Sequence, residues 1–428
     1  MTHDDRFRSK RLWIQSGADR ESTPHRQTSI QANSKGLHHM ALQSRPLEGV
    51  RVVDMTVVMA APSATMFLAD LGADVLKVEN VTGGDFTRAS QPYLFEVVNR
   101  NKRSVAVDFT TESGRELLQR LIGTADVLVQ GLRPGALVAR GFGPEEMMRQ
   151  YPRLIYASLS AFGQRGPGAE RRGVDAVVQA ESGMAWIMGQ VNHRLGLVDA
   201  SAGIALSQAI LAALFKRERD GLGDLVEISL LDTALWLQMF EYAAFGATGQ
   251  VPVTAASMRT FFPTSGHYEV RDGRVYLAAN QEKEWPVLCD LIGQPELTDD
   301  PRFATRALRV QHAEALHEIL STYFLGTTLD EVMNEAKLRS MMVSPILDYP
   351  AVVSHPQVAA NDSLRSVTSA RGEPITQVRA PGRLRSEAEG VYRPAPELGA
   401  DTASVVRELG YSDEQVAQMV GDGTLRAI

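Results

Sequence analysis

The chain has 428 residues, 44% of them apolar and 22% charged, enough length and apolar content for a globular protein of two domains. A net charge of −7 speaks against a nucleic-acid surface, and a single cysteine, Cys289, excludes a disulfide framework or thiolate zinc cluster. No apolar run reads as long enough to cross a bilayer and no signal-peptide core opens the chain, so no membrane partner and a cytoplasmic location are expected.

Residues 1–43 are rich in Arg, Ser, Gln and His without a sustained hydrophobic period. They are expected to be a flexible arm, or upstream sequence before a start at Met40. Order is expected from Leu47, with a β-branched strand over Val50–Met55. A helix with Pro62 in its first turn follows and stops at Gly72; a second strand spans Asp74–Glu79. Strand, helix and strand within thirty residues make a βαβ unit, the building block of a parallel sheet.

The alternation continues with strands at Ser104–Asp108, Ala125–Val129 and Leu154–Leu159, and a helix over Thr111–Ile122. Two helices are expected at about Asp175–Met188 and Asp199–Arg219; Ala202, Ala205, Ala209 and Ala212 form a small-residue stripe on the second, and Gly221 is its stop. Asp272-Gly273 between Gly266–Val270 and Val275–Ala278 signals a hairpin, and helices follow around Trp285–Ile292 and Ala313–Phe324. Cys289, among apolar neighbours, reads as a buried hydrophobe. The expected organisation is α/β. A Rossmann-like large domain begins over 44–245, a linker and small α+β domain occupy 246–345, and 346–428 returns to complete the large domain.

The turn after the first strand, Thr56-Val57-Val58-Met59-Ala60-Ala61-Pro62, contains no glycine, and no phosphate-loop motif occurs anywhere. Dinucleotide binding of the nicotinamide type is therefore excluded, since that turn needs glycines where the pyrophosphate meets the backbone.

Several segments in series resemble family III CoA-transferases. They are Pro46–Asp54, Ala69–Glu79, Asn99–Ser104, Tyr151–Tyr156, Gly163–Pro167, Gly173-Val174-Asp175 with Gln179, Gly221–Asp224 and Arg393–Gly399. The resemblance covers about residues 46–428. It implies a large domain whose parallel sheet uses both chain ends, a small inserted domain, and an interlocked homodimer. It also implies an enzyme that moves coenzyme A from an acyl-CoA to a small carboxylic acid, with no metal.

Local sequence alone makes Asp175 an N-terminal cap of an apolar helix. Its family position makes it the nucleophile, attacking a thioester to form an acyl-aspartyl anhydride; the two roles are compatible. By the same resemblance Val58, Met59 and Ala60 line the pantetheine channel, Asn80 and Val107 lie by the adenine, and Gly131, Leu132 and Ala136 follow the fourth strand. Arg140 is the nearby cation, helped by Arg103 or Arg133. Gln130-Gly131-Leu132 stands where the family often has Glu-Asn-Phe. Gly266 beside His267 is a candidate oxyanion donor. A racemase needs an Asp/His pair, and only His193 and His267 are available through tertiary folding, so an acyl-CoA racemase or isomerase is the alternative. A non-catalytic acyl-CoA-binding paralogue is the third reading. Met59, Phe261, Phe262 and Tyr268 hint at an apolar acyl pocket.

Overall fold

The computed structural model describes residues 45–251, 262–382 and 392–428; the expected arm at 1–43 and Phe261 lie outside them. Six strands form the centre: β1 (Arg51–Met55), β2 (Asp74–Glu79), β3 (Arg103–Val107), β4 (Val127–Gln130), β5 (Ile155–Ser160) and β6 (Leu225–Ser229). They are parallel and run in the order β3-β2-β1-β4-β5-β6. The chain thus reverses its direction of travel between β1 and β4.

Successive side chains of a strand face opposite sides, and here both sides are apolar. Val53, Leu76 and Leu128 pack with Leu117, Leu121, Val405 and Val416, from the helices Glu112–Gly123, Thr402–Glu408 and Asp413–Gly421. Val52, Val75 and Val127 pack on the other face with Leu68, Leu206 and Ile210, from the helices Ala60–Asp70 and Leu197–Asp220. Strands buried on both faces read as continuous β-branched runs, which is why the sequence marks them well.

The Ala60–Asp70 and Leu197–Asp220 helices meet unusually closely, and the residue that allows it is Gly203. A Cβ there would sit 2.0 Å from Ser63 Oγ and 2.7 Å from the Ala60 carbonyl oxygen. The alanine stripe takes part unevenly: Ala202 is buried with Ala60 and Ala209 packs on the core that holds Ala64 and Leu68, but Ala205 is half-buried and Ala212 exposed. Leu197–Asp220 is also, by length and composition, long and apolar enough to span a bilayer, against the expectation. Its buried residues Leu206, Ile210 and Leu214 belong to the core beneath the sheet. The expected helix over 175–188 is two short ones, Asp175–Glu181 and Met184–Ile187, broken where Gly183 takes φ 80°.

Residues 44–428 form one compact unit. Within it the hairpin β7 (Gly266–Val270) and β8 (Gly273–Ala278) pairs with β9 (Met342–Pro345) in an antiparallel sheet with its own core around Tyr268, Leu277, Trp285, Leu288 and Phe324. Cys289 is buried there, and burial pushes its thiol up. A second hairpin, β10 (Leu364–Thr368) and β11 (Pro374–Val378), precedes the return to the main sheet. The C-terminal contribution to that sheet is β12 (Leu425–Arg426), which adds beside β3 antiparallel. Both chain ends do supply strands, but the last one is not parallel.

Candidate active site

In an open parallel sheet, ligands bind beyond the carboxyl ends of the strands where strand order reverses. Here that point lies between β1 and β4, and a crevice of about 160 Å³ opens there. Val58, Met59 and Ala60, after β1, and Gly131, after β4, line it together with Val174 and Asp199.

The loop after β1 is held from below by buried charges. Lys102 Nζ lies 2.9 Å from Asp54 Oδ2 and donates to Asn99 Oδ1 at 2.8 Å. Asp54 accepts the amide and hydroxyl of Thr56. Lys77 donates to the Thr56 carbonyl at 2.9 Å and pairs with Asp85 at 3.2 Å, and Asp85 in turn accepts the Val58 amide at 3.3 Å. All four ionic side chains are fully buried. Burial pushes the Lys102 ammonium down to about 8 against the pull of Asp54. Burial acts to raise the Asp54 carboxyl, but Lys102 and Lys77, together with the Thr56 and Thr65 hydroxyls, hold it below the usual range. The fixed loop carries Val58 at φ 71°, a left-handed conformation that a β-branched residue adopts at a cost of about 1–3 kcal/mol.

Asp175 begins its helix and is 9% exposed. It is placed by Gly173, where a Cβ would fall 2.6 Å from Ala161 Cβ and 2.9 Å from the Phe162 ring. Gln179, one turn on and fully buried, donates to Asp175 Oδ1. The same amide group brackets the loop before the long helix, donating to the His193 carbonyl at 3.0 Å and accepting the His193 amide at 2.6 Å. Asp175 Oδ2 accepts the Asp199 amide at 2.9 Å. That amide is one of the unpaired donors in the first turn of Leu197–Asp220, whose own N-cap residue, Gly196, offers no side chain. Asp175 therefore caps a helix other than its own. It is not itself among the crevice-lining residues; its neighbours Val174 and Asp199 are.

Asp199 went unnoticed as a site residue. It is half-buried, its side chain makes no hydrogen bond or ion pair among the described residues, and it borders the crevice. Burial, and then the charge of Asp175, push its carboxyl up to about 7. In sequence it is an acidic residue in a helix's first turn, which is ordinary.

Of the other expected residues, Asn80 and Val107 stand at the carboxyl edge, one and two strands away from β1. Asn80 accepts the Thr82 amide in a local turn, and the Val107 side chain is buried in the core. Gln130 accepts the Leu132 amide at 2.8 Å, and Leu132 packs against the core beneath. Ala136 is half-buried, and its carbonyl accepts from exposed Arg140 at 2.8 Å. Arg133 is exposed nearby. Arg103 is a correction: it opens β3, at the opposite edge of the sheet, and pairs there with Glu408 and Asp74. Gly266 pairs with Leu277 in its ladder, and neither it nor His267 lines the crevice; His267 packs edge-on against Tyr276. His193 Nδ1 accepts the Leu195 amide, and among the described residues no histidine hydrogen-bonds or pairs with Asp175. Phe262 borders a separate hollow beside Trp285, and Tyr268 is buried in the small core.

Residues 47–402 match the family model of CoA-transferase family III. An acyl-CoA transferase of Fusarium pseudograminearum is 34% identical, the match covering 92% of this chain and 91% of that one. A probable fatty acyl-CoA transferase of Mycobacterium tuberculosis, Rv3272, is 36% identical over 84% of this chain and 97% of its own. Its orthorhombic crystal structure superimposes with a TM-score of 0.75, covering 85% of this chain and 99% of that one. A succinate–glutarate CoA-transferase of Agrobacterium fabrum is 32% identical over 85% and 96% of the two chains. All three relatives are named transferases. With a doubly wound sheet, a crevice at its reversal point and an oriented aspartate beside it, the chain belongs to CoA-transferase family III and is an enzyme of that kind.

Proposed function

We propose that the chain transfers coenzyme A between an acyl-CoA and a small carboxylic acid through an acyl-aspartyl anhydride on Asp175. One observation carries the reading: both oxygens of a nearly buried carboxylate are held by donors, Gln179 and the Asp199 amide, beside the crevice at the sheet's reversal point. An oxygen so oriented, each keeping a free lone pair, attacks the thioester carbon and expels the thiolate. The acceptor carboxylate then attacks the Asp175 carbonyl carbon of the anhydride and displaces the donor acid as its carboxylate. The thiolate attacks the acceptor's acyl carbon, forming the new acyl-CoA and releasing Asp175 as a carboxylate that keeps one acceptor oxygen.

A crevice of about 160 Å³ is smaller than the roughly 300–1,000 Å³ that encloses a whole ligand. It suits the reacting end of an acyl-CoA, with the rest extended over the carboxyl edge towards Asn80 and Val107, one and two strand spacings of about 4.8 Å away. Arg133 and Arg140 are exposed cations on the Gly131 side, available to phosphate. Trp186, Trp236, Phe240 and Phe245 are exposed in this chain; such an apolar face supports the reading that a second copy covers it in a homodimer.

Among the described residues the partners of Asp175 are Gln179 and the Asp199 amide rather than an imidazole, which favours transfer over racemisation. The test is to incubate the protein with acetyl-, isovaleryl-, succinyl- and oxalyl-CoA, quench with hydroxylamine, and weigh the peptide holding Asp175. A hydroxamate there supports the proposal. Solvent deuterium at the acyl α-carbon without an adduct replaces it by isomerase chemistry, and neither outcome across the panel leaves binding alone.

A further inference from the structure

An anhydride-forming attack places a negative charge on the thioester oxygen, and a donor must meet it. The expected backbone donor, Gly266, does not line the crevice. Three polar side chains do: Thr56, Ser160 and Asp199. The Thr56 hydroxyl is spent on Asp54; Ser160 Oγ accepts the Gly163 amide and keeps its O–H, but Ser160 makes no hydrogen bond to Asp175. Asp199 alone of the three has no side-chain partner among the described residues, while its main-chain amide is fixed on Asp175. One residue thus touches the nucleophile with its backbone and borders the substrate space with its side chain.

We propose that Asp199, as a neutral carboxylic acid, donates the hydrogen bond that receives the thioester oxygen while Asp175 attacks. This rests on the acyl-aspartyl reading. As the bond from Asp175 to the acyl carbon forms, the carbonyl π pair moves onto oxygen and the Asp199 O–H stabilises it. The pair then returns, the C–S bond breaks and the thiolate leaves with its electrons. Asp199 keeps its proton throughout, so no proton is gained or lost.

The surroundings favour that neutral form. Burial and the charge of Asp175, from the adjoining helix, lift the Asp199 carboxyl to about 7. On the loop before its own helix, His193 turns Nδ1 to the Leu195 amide, and no ion pair reaches Asp199 among the described residues. Above about pH 7 the side chain loses its donor and gains a charge that repels the developing oxyanion, so the rate falls as pH rises.

The experiment measures acyl-aspartyl formation with the same four acyl-CoAs in the wild type, Asp199→Asn and Asp199→Ala, from pH 5.5 to 9. Each keeps the main-chain amide. The alanine variant is expected to form adduct about 10²–10³-fold more slowly. Asparagine, which still donates, stays within about tenfold and loses the decline above pH 7. Thermal melting provides a substrate-free arm. A carboxyl raised in the fold contributes stability that is complete below about pH 4 and lost as pH climbs through about 7; the wild type shows that loss and Asp199→Asn does not. Adduct at wild-type rates in both variants overturns the inference alone, as does asparagine failing like alanine. No adduct from any acyl-CoA in the wild type overturns the acyl-aspartyl reading and this inference with it.

Discussion

The inner and outer parts of the site are built on different terms. Around the crevice, key polar groups are fixed by others from separate elements: Lys102 on Asp54, Asp85 on Val58, Asp175 on the Asp199 amide. Along the outer edge, Asn80 and Arg140 bond only within their own turns and face solvent. Reaction chemistry needs groups held before the substrate arrives, whereas a long, flexible ligand can be gripped by groups that reorganise. The difference separates where the molecule invests in rigidity from where it tolerates change.

The sharpest way to break that comparison is at Asp175. Asp175→Asn removes the proposed nucleophile but retains an oxygen to accept the Asp199 amide. Transfer activity is expected to fall by at least about 10³-fold with little change in melting temperature. Asp175→Ala should match it in activity and lose about 1 kcal/mol more of stability, the worth of a helix cap, measured by urea unfolding. Next comes Lys102→Met, which strands Asp54 as a buried charge; a loss of about 3–5 kcal/mol is expected in the same measurement. The smallest effect belongs to Arg140→Ala. An exposed cation is worth under about 1 kcal/mol, so KM for acyl-CoA should rise no more than about fivefold, with kcat unchanged. A loss at Arg140 as large as that at Asp175 would mean the outer edge is as organised as the inner.

The same division explains what could be read in the sequence. β1 to β5 were legible because strands buried on both faces leave β-branched runs; Val58, Met59, Ala60 and Gly131 were named through the family resemblance, and they line the crevice because they follow two of those strands. β6 was missed: only Val226 and Ser229 are buried in it, Glu227 faces outward, and a helix starts directly afterwards at Leu230. The apolar helix Leu230–Leu237 has no clear polar face to mark its period. Arg103 misled because proximity in sequence to a matched motif says nothing about which end of a strand it occupies. Asp199 was hidden for a related reason. Its helical position was plain, but its approach to Asp175 depends on a fold contact across 24 residues, and no local pattern records that. Nor does any local signal pair Asp54 with Lys102, 48 residues on.

The helix capped from outside links catalysis to fold energetics. Free Asp175 offers the first turn of Leu197–Asp220 a charged acceptor, and hydrogen bonds to charged groups are roughly twice as strong as neutral ones. In the proposed acyl-aspartyl state, the same side chain has only neutral oxygens to offer. The enzyme would then be slightly less comfortable carrying its cargo than empty. A 24-residue helix would lean, through one amide, towards discharge, shortening the life of an anhydride that water would otherwise find.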